Sequence, residues 1–346
     1  MEARHSSDLE GFYHALNGLS ARPLWDGITQ ATRPKATPAI WRYAEMRPQL
    51  LRAIELIAAK DAERRVLTLE NPGLPGTGLI TSSLFCGLQA ISPGETAPAH
   101  RHSSNALRLI IESDGAYTNV EGERITMHRG DLVLTPGWAW HSHGHVGSRP
   151  AIWLDALDLA FGRLFGKIFR ESDPDESQVI SLESRRNAAA QYAANLLPVE
   201  HRSPLDHSPL LSYPYERTRE ALEWLARHGS VHPVHGVKMR YANPLDGGFI
   251  YRTIAAFIQL LPKGFRSVPY RSTESAVFYA IEGNGTIQAG NESFAFEQDD
   301  VFVVPPWITY SIESGAECIL FSYSDRAAQV ALGFWREDKV QPDRFP

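Results

Sequence analysis

The chain has 346 residues, of which 43% are apolar and 21% are charged, and its formal net charge at pH 7 is −6. This length is sufficient for two domains of ordinary size, and the composition is that of a globular protein. The negative balance gives no electrostatic reason to expect a nucleic acid or an anionic membrane surface as a partner.

The first sixty residues are predicted to be helical with interruptions. Apolar residues recur at helical spacing over residues 9–19 and 46–59, and proline-containing breaks separate the two segments. Residues 64–72 and 79–91 are rich in β-formers and predict two strands. The second strand leads directly into the motif that decides the interpretation of the chain.

That motif contains three histidines on predicted strands. His100 and His102 alternate with Arg101, so both imidazoles lie on one face of a strand, and His141 follows 41 residues later. The intervening apolar-polar alternation and glycine turns predict a meander that returns the later strand beside the earlier one. Three neutral imidazoles on rigid strands predict a site for Fe, Mn, Ni, Zn or Cu.

The alternative is that these histidines are ordinary residues of a half-buried strand face. The spacing argues against it, because Gly94 lies six residues before His100, and Gly130 and Pro136 precede His141 at fixed intervals. These are the G-x5-H-x-H and G-x5-P-x4-H signatures of the cupin family. The sequence therefore predicts a cupin barrel with one bound metal ion.

Residues 162–235 are predicted to form a connector rich in helix formers, serine and proline. His228, His232 and His235 have spacings that occur in metal sites, but Gly229 and Pro233 interrupt any element that would align them. We interpret them as surface or connector histidines.

The strand pattern returns at residue 250 and repeats the first barrel. Residues 264–272 align with 94–102, and 300–305 align with 131–136, so Tyr270, Ser272 and Tyr310 occupy the three ligand positions. No histidine follows His235. The second barrel is therefore predicted to keep the fold without the metal.

Two further residues are predicted to face the metal. Arg108 lies six residues after His102, an even offset that places it on the same strand face, where a guanidinium would hold a carboxylate. The alternative for Arg108 is a surface salt bridge. His143 lies two residues after His141 and is predicted to be a fourth ligand or an acid-base group. Phe85, Trp138 and Trp140 are candidates for an apolar wall.

The chain from about residue 10 to 330 resembles the gentisate 1,2-dioxygenase family of bicupin ring-cleaving enzymes. The resemblance is carried by short motifs distributed along the chain: Ala62-Glu-Arg-Arg65, Leu69-Glu-Asn-Pro72, His100-Arg-His102, Ala106-Leu-Arg108, Trp140-His-Ser-His143-Gly144, Trp153-Leu-Asp155-Ala-Leu-Asp158, Pro209-Leu-Leu-Ser-Tyr-Pro-Tyr215 and Tyr241-Ala-Asn-Pro244. It implies a mainly β fold of two double-stranded β-helix (jelly-roll) barrels with N-terminal and connecting helices. The expected division is 1–62 helical, 63–161 metal-binding cupin, 162–245 helical connector and 246–346 metal-free cupin.

The resemblance also implies the chemistry. One Fe(II) per chain would be held by His100, His102 and His141, and gentisate would be cleaved between its carboxyl- and hydroxyl-bearing carbons to give maleylpyruvate. His143 and Arg108 would be the catalytic residues. Substrate binding would involve residues that match the family's pocket, namely Arg108, Arg64, Arg65, Phe85, Gly87, Gln89 and Asp155. Which of Arg64 and Arg65 faces the pocket stays open.

Departures from the family pattern leave the substrate open. Ser142 stands where an aspartate is common, His145 where an asparagine is usual, and Leu109 where a phenylalanine is common. Relatives that cleave salicylate, a 5-substituted salicylate or 1-hydroxy-2-naphthoate share the same ligands and form the alternative. A further alternative is an O2-independent cupin isomerase or a binding protein, which aerobic and anaerobic turnover distinguish.

The remaining expectations concern partners and compartment. The expected partners are a small aromatic hydroxy acid and O2, with no nucleic acid and no membrane, and the resemblance implies a homotetramer. Cys86 and Cys318 form no disulfide framework, and the amino terminus lacks the apolar region of a signal peptide. We therefore expect a cytoplasmic protein.

Overall fold

A computed structural model describes residues 2–26, 35–58, 61, 64–166, 168–173, 187–194, 196, 199 and 206–339. The chain divides into two compact units, Met1–Pro34 and Lys35–Pro346. The first contains helix α1 (Glu2–Gly18) and a 3-10 turn at Leu24–Asp26. In the described part of the chain, no helix combines the length and apolar character needed to cross a membrane.

The larger unit is mainly β-structure with five helices among its described residues. The helices are α2 (Tyr43–Leu56), α3 (Leu159–Leu164), α4 (Ala188–Tyr192), α5 (Tyr215–His228) and α6 (Arg326–Ala331). The strands of its first half are β1 (Ala39–Trp41), β2 (Arg65–Thr68), β3 (Phe85–Ile91), β4 (Thr96–His102), β5 (Ala106–Glu112), β6 (Ala116–Val120), β7 (Glu123–Thr126), β8 (Leu132–Thr135), β9 (His141–His145), β10 (Ala151–Leu157) and β11 (Arg170–Ser172). Those of its second half are β12 (Ser212–Tyr213), β13 (Val237–Arg240), β14 (Ala255–Leu261), β15 (Tyr270–Ser272), β16 (Ala276–Glu282), β17 (Gly285–Ala289), β18 (Glu292–Phe296), β19 (Val301–Val304), β20 (Tyr310–Ser314), β21 (Cys318–Ser324) and β22 (Glu337–Lys339).

The strands form two pairs of sheets, each pair with one six-stranded and one five-stranded sheet. The first pair has the orders β12-β8-β5-β10-β3-β2 and β11-β4-β9-β6-β7. The second has the orders β1-β19-β16-β21-β14-β13 and β18-β17-β20-β15-β22. We call these pairs the first repeat and the second repeat. The mainly β, two-cupin fold expected from the sequence is confirmed.

The register of the two repeats supports the sequence alignment between them. His100 lies opposite His141 across β4 and β9, and Tyr270 lies opposite Tyr310 across β15 and β20. Each repeat also ends in a short helix followed by an edge strand, which pairs with the strand that carries the ligand positions. The repeat therefore extends beyond the strands that the sequence pattern identifies.

Strand alternation separates the interior of each repeat from the contact between repeats. In β5, Arg108 and Ile110 face the interior of the first repeat, whereas Leu107 and Leu109 belong to an apolar cluster that includes residues of both six-stranded sheets. The interior of the second repeat is filled by aromatic side chains, namely Tyr270, Phe278, Phe296, Phe302 and Tyr310. Tyr270 and Tyr310, which align with His100 and His141, are part of this filling, and the absence of a metal ion from the second repeat stays a prediction.

The two repeats exchange short strands. β1 precedes the first repeat in the chain but pairs with β19 of the second, and β12 precedes the second repeat but pairs with β8 of the first. The following helices continue the exchange, because Tyr43 N donates to Asp300 at 2.9 Å and Tyr215 N donates to Asp131 at 2.8 Å. The predicted division into four parts did not include this exchange of strands. The division itself stays a prediction.

Two buried carboxylates link the repeats in matching positions. Asp158 accepts a hydrogen bond from Thr253 at 2.5 Å, and Asp325 accepts one from Ser83 at 2.6 Å. Each also binds the start of a strand in its own repeat, since Asn105 N donates to Asp158 and Ser275 N donates to Asp325. Removing either carboxylate is therefore expected to weaken the contact between repeats.

Asp325 should make the stability of the protein depend on pH. Burial raises its pKa from 3.8 to about 6. A raised pKa favours the protonated form in the folded state, so this stabilisation is complete below pH 3.8 and is lost as the pH rises through 6. Between pH 4.5 and pH 7, the free energy of unfolding of wild type should fall by about 2 kcal/mol relative to that of Asp325→Asn, as measured by urea unfolding. The exposed Asp206→Asn is the control, and parallel pH profiles for wild type and Asp325→Asn would contradict the assignment.

Some sequence predictions differ locally from the structure. Residues 79–84 were expected to begin a strand, but β3 starts only at Phe85, after turns centred on hydrogen bonds between Thr81 and Leu84. α2 begins at Tyr43, three residues before the predicted periodicity, because the carboxylate of Asp300 accepts the first free amide of the helix. The late start of β3 arises from the local turn at Thr81, and the early start of α2 arises from a contact with a residue that is distant in sequence.

Candidate metal centre

Three histidines meet in the interior of the first repeat. His100 and His102 come from β4 and His141 from the neighbouring β9, and one ring nitrogen from each lies within 4.8 Å of the others. Their ring centroids are 4.1, 4.9 and 5.4 Å apart. Among the described residues, this is the one group of three or more histidine, cysteine or acidic side chains arranged in this way.

Backbone contacts orient two of these rings. Nδ1 of His102 lies 2.9 Å from the carbonyl of Ser104, and Nδ1 of His141 lies 2.9 Å from the carbonyl of Ala139. A carbonyl only accepts, so each Nδ1 carries the ring proton and each Nε2 keeps its lone pair. Nε2 of His141 is buried and has no hydrogen-bond partner in the described part of the chain. These nitrogens are suited to bind a metal ion.

Burial keeps the imidazoles neutral. It lowers the pKa of His100 to about 3 and that of His102 to about 4, with the nearby arginines acting in the same direction. The pKa of His141 is also well below its usual value, chiefly through burial and then through Arg108. Neutral imidazoles are the form that binds metal ions. The cluster therefore fits a divalent transition metal without any further proton loss at neutral pH.

His143 lies beside the cluster, on the same face of β9 as His141. Its side chain is buried, and its ring centroid is 5.9 Å from that of His141 and 5.4 Å from that of Trp153. Neither ring nitrogen has a hydrogen-bond partner among the described residues. A buried polar group without a partner is costly, so these nitrogens are available for a group that the protein itself does not provide. The inward direction predicted for His143 agrees with this placement.

Arg108 is fixed inside the repeat by two neighbours. Its Nε lies 3.1 Å from Oδ1 of Asp155 on the adjacent β10, and its Nη1 donates to Thr135 on β8. Asp155 is itself held by the indole of Trp153, whose Nε1 donates to Oδ2 at 3.1 Å. Burial raises the pKa of Asp155, while Arg108 and then Arg64 oppose this effect. Nη2 of Arg108 makes no hydrogen bond to any residue that the structure describes.

Arg64 and Arg65 have different environments. Arg65 forms a bidentate ion pair with Glu95 at 2.6 and 2.8 Å and donates to the carbonyl of Ile57. Each of its three nitrogens is thereby engaged by the protein, which favours Arg64 over Arg65 for the expected substrate contact. Arg64 instead lies near the cluster, with Nη2 2.6 Å from Nδ1 of His100.

The contact between Arg64 and His100 has a chemical consequence. A guanidinium only donates, so Nδ1 of His100 accepts and the ring proton lies on Nε2. Metal binding through Nε2 therefore requires Arg64 to withdraw from Nδ1. Its Nη1 is buried and has no hydrogen-bond partner among the described residues, and burial followed by the charge of Arg108 lowers its pKa. An anion between the two guanidinium groups would relieve both effects.

Phe85, Gly87 and Gln89 alternate along β3, on the face that looks into the first repeat. Gly87 lies opposite Asp155, and Gln89 lies opposite Trp153. A Cβ on Gly87 would be 2.6 Å from the side chain of Val66 and 3.1 Å from the ring of Phe85, so only glycine fits without movement. These residues therefore form a closely packed wall beside Asp155, and the substrate-binding role that the resemblance implies for them stays a prediction.

The two tryptophans predicted to form an apolar wall are placed elsewhere. Arg101 stacks on the rings of Trp138 and Trp140, with its Cζ 4.4 and 4.7 Å from their centroids. Arg101 lies between His100 and His102 on the strand, so its side chain points to the opposite face. The structure therefore does not place Trp138 and Trp140 beside the histidines, because both residues precede β9 and their rings pack against the outward-facing Arg101.

The other candidate histidines do not form a ligand group. His232 and His235 stack at 5.1 Å, and the ring of His228 stacks on Trp224 at 4.7 Å. Nδ1 of His232 accepts hydrogen bonds from the backbone of Val234 and His235. These contacts agree with the interpretation of connector histidines that help to pack the chain.

Comparison with known proteins gives a consistent result. A cupin-domain family model matches residues 87–157. The chain is 47% identical to gentisate 1,2-dioxygenase 1 of Aquipseudomonas alcaligenes over 95% of each chain, and 32% identical to 5-aminosalicylate 1,2-dioxygenase of a Comamonas species over 96% of this chain and 90% of the relative. The crystal structure of salicylate 1,2-dioxygenase from Pseudoaminobacter salicylatoxidans with gentisate superimposes with a TM-score of 0.88 at 32% identity, covering 96% of this chain and 93% of the other.

Proposed function

The chain belongs to the gentisate 1,2-dioxygenase family of ring-cleaving dioxygenases, and from that premise we propose that it cleaves gentisate with O2 to give maleylpyruvate. The bond broken lies between the carboxyl-bearing and hydroxyl-bearing carbons, and both oxygen atoms of O2 enter the product. The proposal is supported most directly by the juxtaposition of three neutral histidines with the two arginines Arg64 and Arg108 inside one repeat.

We propose Fe(II) as the metal, one ion per chain, held by His100, His102 and His141. Three imidazoles contribute no negative charge, so a divalent ion would keep its full charge and favour an anionic substrate. Iron would supply the redox chemistry that joins O2 to an electron-rich ring. The second repeat should bind none, since aromatic side chains fill its interior among the described residues.

Arg108 is proposed to bind the substrate carboxylate. Asp155 and Thr135 fix its guanidinium while leaving Nη2 without a hydrogen bond in the described part of the chain. Arg64, with a buried Nη1 that also lacks a partner there, would approach the same carboxylate from β2. Two guanidinium groups facing one buried carboxylate, Asp155, leave the site with an excess of positive charge. An aromatic carboxylate would offset the excess that the two guanidinium groups carry.

His143 is proposed to act on the phenolic hydroxyl of the substrate. Its neutral ring can accept the hydroxyl proton at one nitrogen, and its buried nitrogens have no hydrogen bond to a described residue. Phe85, Gly87 and Gln89 would then limit the position of the ring. Asp155 would act through Arg108 by fixing its orientation.

The substrate is proposed to be gentisate because the side chains that depart from the family pattern make their contacts outside the histidine cluster. Ser142 lies between His141 and His143 and accepts a hydrogen bond from Asn119, whereas Leu109 packs in the apolar contact between repeats. His145 binds the carbonyl of Arg149 at the end of β9. A salicylate is the second candidate, because the salicylate 1,2-dioxygenase with the same fold has been crystallised with gentisate.

O2 uptake by the Fe(II)-loaded protein tests the assignment. We expect rapid uptake and product absorbance with gentisate, and at least about tenfold slower turnover with salicylate and 5-substituted salicylates, because gentisate has the more electron-rich ring. Faster turnover of a salicylate would transfer the assignment to the second candidate. No uptake with any of these acids would reject the ring-cleaving activity.

We also propose a homotetramer in the cytoplasm. The family resemblance and exposed apolar side chains such as Phe165 and Phe334 support the assembly. The two cysteines are free and buried, which supports a reducing compartment such as the cytoplasm. Sedimentation of the metal-loaded protein would test the assembly, and a monomer at micromolar concentration would reject it.

A further inference from the structure

One segment of the second repeat contacts the strand that carries Arg108. Tyr251 precedes β14 and is 1% exposed, and its hydroxyl donates to the carbonyl of Ala106 at 2.7 Å. Ala106 is the first residue of β5, and its side chain lies on the same face of the strand as that of Arg108, two residues later. The phenol and the guanidinium are close enough for each to affect the pKa of the other.

The same segment also holds the loop that precedes His141. The hydroxyl of Thr253 accepts from Nδ2 of Asn105 at 3.3 Å and donates to Asp158. Oδ1 of Asn105 accepts the amide of Gly137 at 2.9 Å. Because Gly137 lies four residues before His141, this chain of hydrogen bonds joins the second repeat to both the arginine strand and the metal-ligand loop.

A second tyrosine makes an independent contact with the pocket wall. The hydroxyl of Tyr323, on β21, donates to the carbonyl of Phe85 at 2.9 Å. Phe85 is the first residue of β3, which carries Gly87 and Gln89. The second repeat thus fixes the starting residues of two strands that line the site in the first repeat.

We propose that Tyr251 is a positioning residue for Arg108, and that the metal-free second repeat thereby sets the site's affinity for a carboxylate. The inference rests on the proposed role of Arg108 as the carboxylate ligand. Tyr251 touches no substrate atom in this scheme. Its hydroxyl fixes the start of β5, and the position of the guanidinium two residues along depends on that anchor.

The test uses Tyr251→Phe, which removes the hydroxyl and keeps the ring. With Fe(II)-loaded protein, the KM for the best acid substrate should rise about tenfold while kcat changes by less than about twofold. Anaerobic binding of salicylate should weaken by a similar factor. Binding of catechol, which lacks the carboxylate, should be unchanged, and the metal content should stay that of wild type.

Tyr270→Phe is the matched control. Tyr270 is equally buried and its hydroxyl donates to Glu337 at 3.0 Å, but this contact lies within the second repeat. It should lower stability without changing the ratio of salicylate to catechol affinity. If Tyr251→Phe does not fold, Thr253→Val removes the neighbouring contact of the same segment and should produce the same selective loss.

The outcomes separate the inference from the proposed function. Equal loss of salicylate and catechol binding, or loss of metal, would give Tyr251 a purely structural role and overturn the inference. Unchanged salicylate binding in Tyr251→Phe would also overturn it, with the proposed function intact. Failure of wild type to bind salicylate and gentisate would reject both.

Discussion

Replacing His141 with alanine should abolish metal binding and ring cleavage together. Its Nε2 is buried beside His100 and His102, and its Nδ1 is held by the carbonyl of Ala139, so Nε2 is directed into the cluster as the third ligand nitrogen. Loss of a residue that only orients a ligand weakens metal binding about 10- to 100-fold, so loss of the ligand itself should exceed 100-fold. Metal analysis of the purified variant after Fe(II) loading should give close to none per chain, against about one for wild type.

His128→Ala is the appropriate control for this experiment. His128 is exposed and contacts Asp131 in the turn before β8, and it is not part of the histidine cluster. The control should retain metal and activity. A full metal complement in His141→Ala would contradict the proposed centre, and about two ions per wild-type chain would contradict a metal-free second repeat.

Arg108→Lys should reduce kcat/KM for gentisate about 100-fold. The guanidinium is buried, its Nε lies 3.1 Å from Oδ1 of Asp155 and its Nη1 donates to Thr135, and we propose that Nη2 binds the substrate carboxylate. A lysine ammonium keeps the charge but cannot make these contacts at once. The lost charge-assisted hydrogen bond to the substrate carboxylate and the poorer pairing of Asp155 with lysine should together cost about 3 kcal/mol of transition-state stabilisation. Steady-state kinetics with gentisate measure the change.

Arg101→Lys provides a control on the neighbouring strand. Arg101 lies on the outer face of β4, where it pairs with Glu171 and stacks on Trp138. Its exchange for lysine should leave kcat/KM within about twofold of wild type. Equal effects of the two substitutions would contradict a specific carboxylate contact at Arg108.

The metal ligands could be predicted from the sequence because each rests on a local rule. Alternation along a strand places His100 and His102 on one face, and the glycine and proline spacing fixes the turn that returns His141 beside them. The same rule placed Arg108 and His143 in the interior correctly. Such predictions need only the strand period and the positions of turns.

The remaining features depend on contacts between distant parts of the chain. The sequence does not show which of the adjacent residues Arg64 and Arg65 faces the histidines, because this depends on the ion pair between Arg65 and Glu95, 30 residues away. Trp138 is at a positive φ of 65°, which turns it away from the direction expected of a regular strand. The exchange of β1 and β12 likewise has no local signal, because a two- or three-residue edge strand carries no periodicity.

The exchange of edge strands has a consequence for how the protein is made. The strands β2 to β11 of the first repeat are synthesised before β12, which begins at Ser212. The six-stranded sheet that contains Arg108 is therefore incomplete until β12 pairs with β8. β1 emerges much earlier than its partner β19, which begins at Val301. Pairings over such sequence separations are slow to form and leave edges exposed in the meantime. We therefore expect the first repeat to complete its six-stranded sheet only after β12 has been synthesised, which is later than the synthesis of all three clustered histidines.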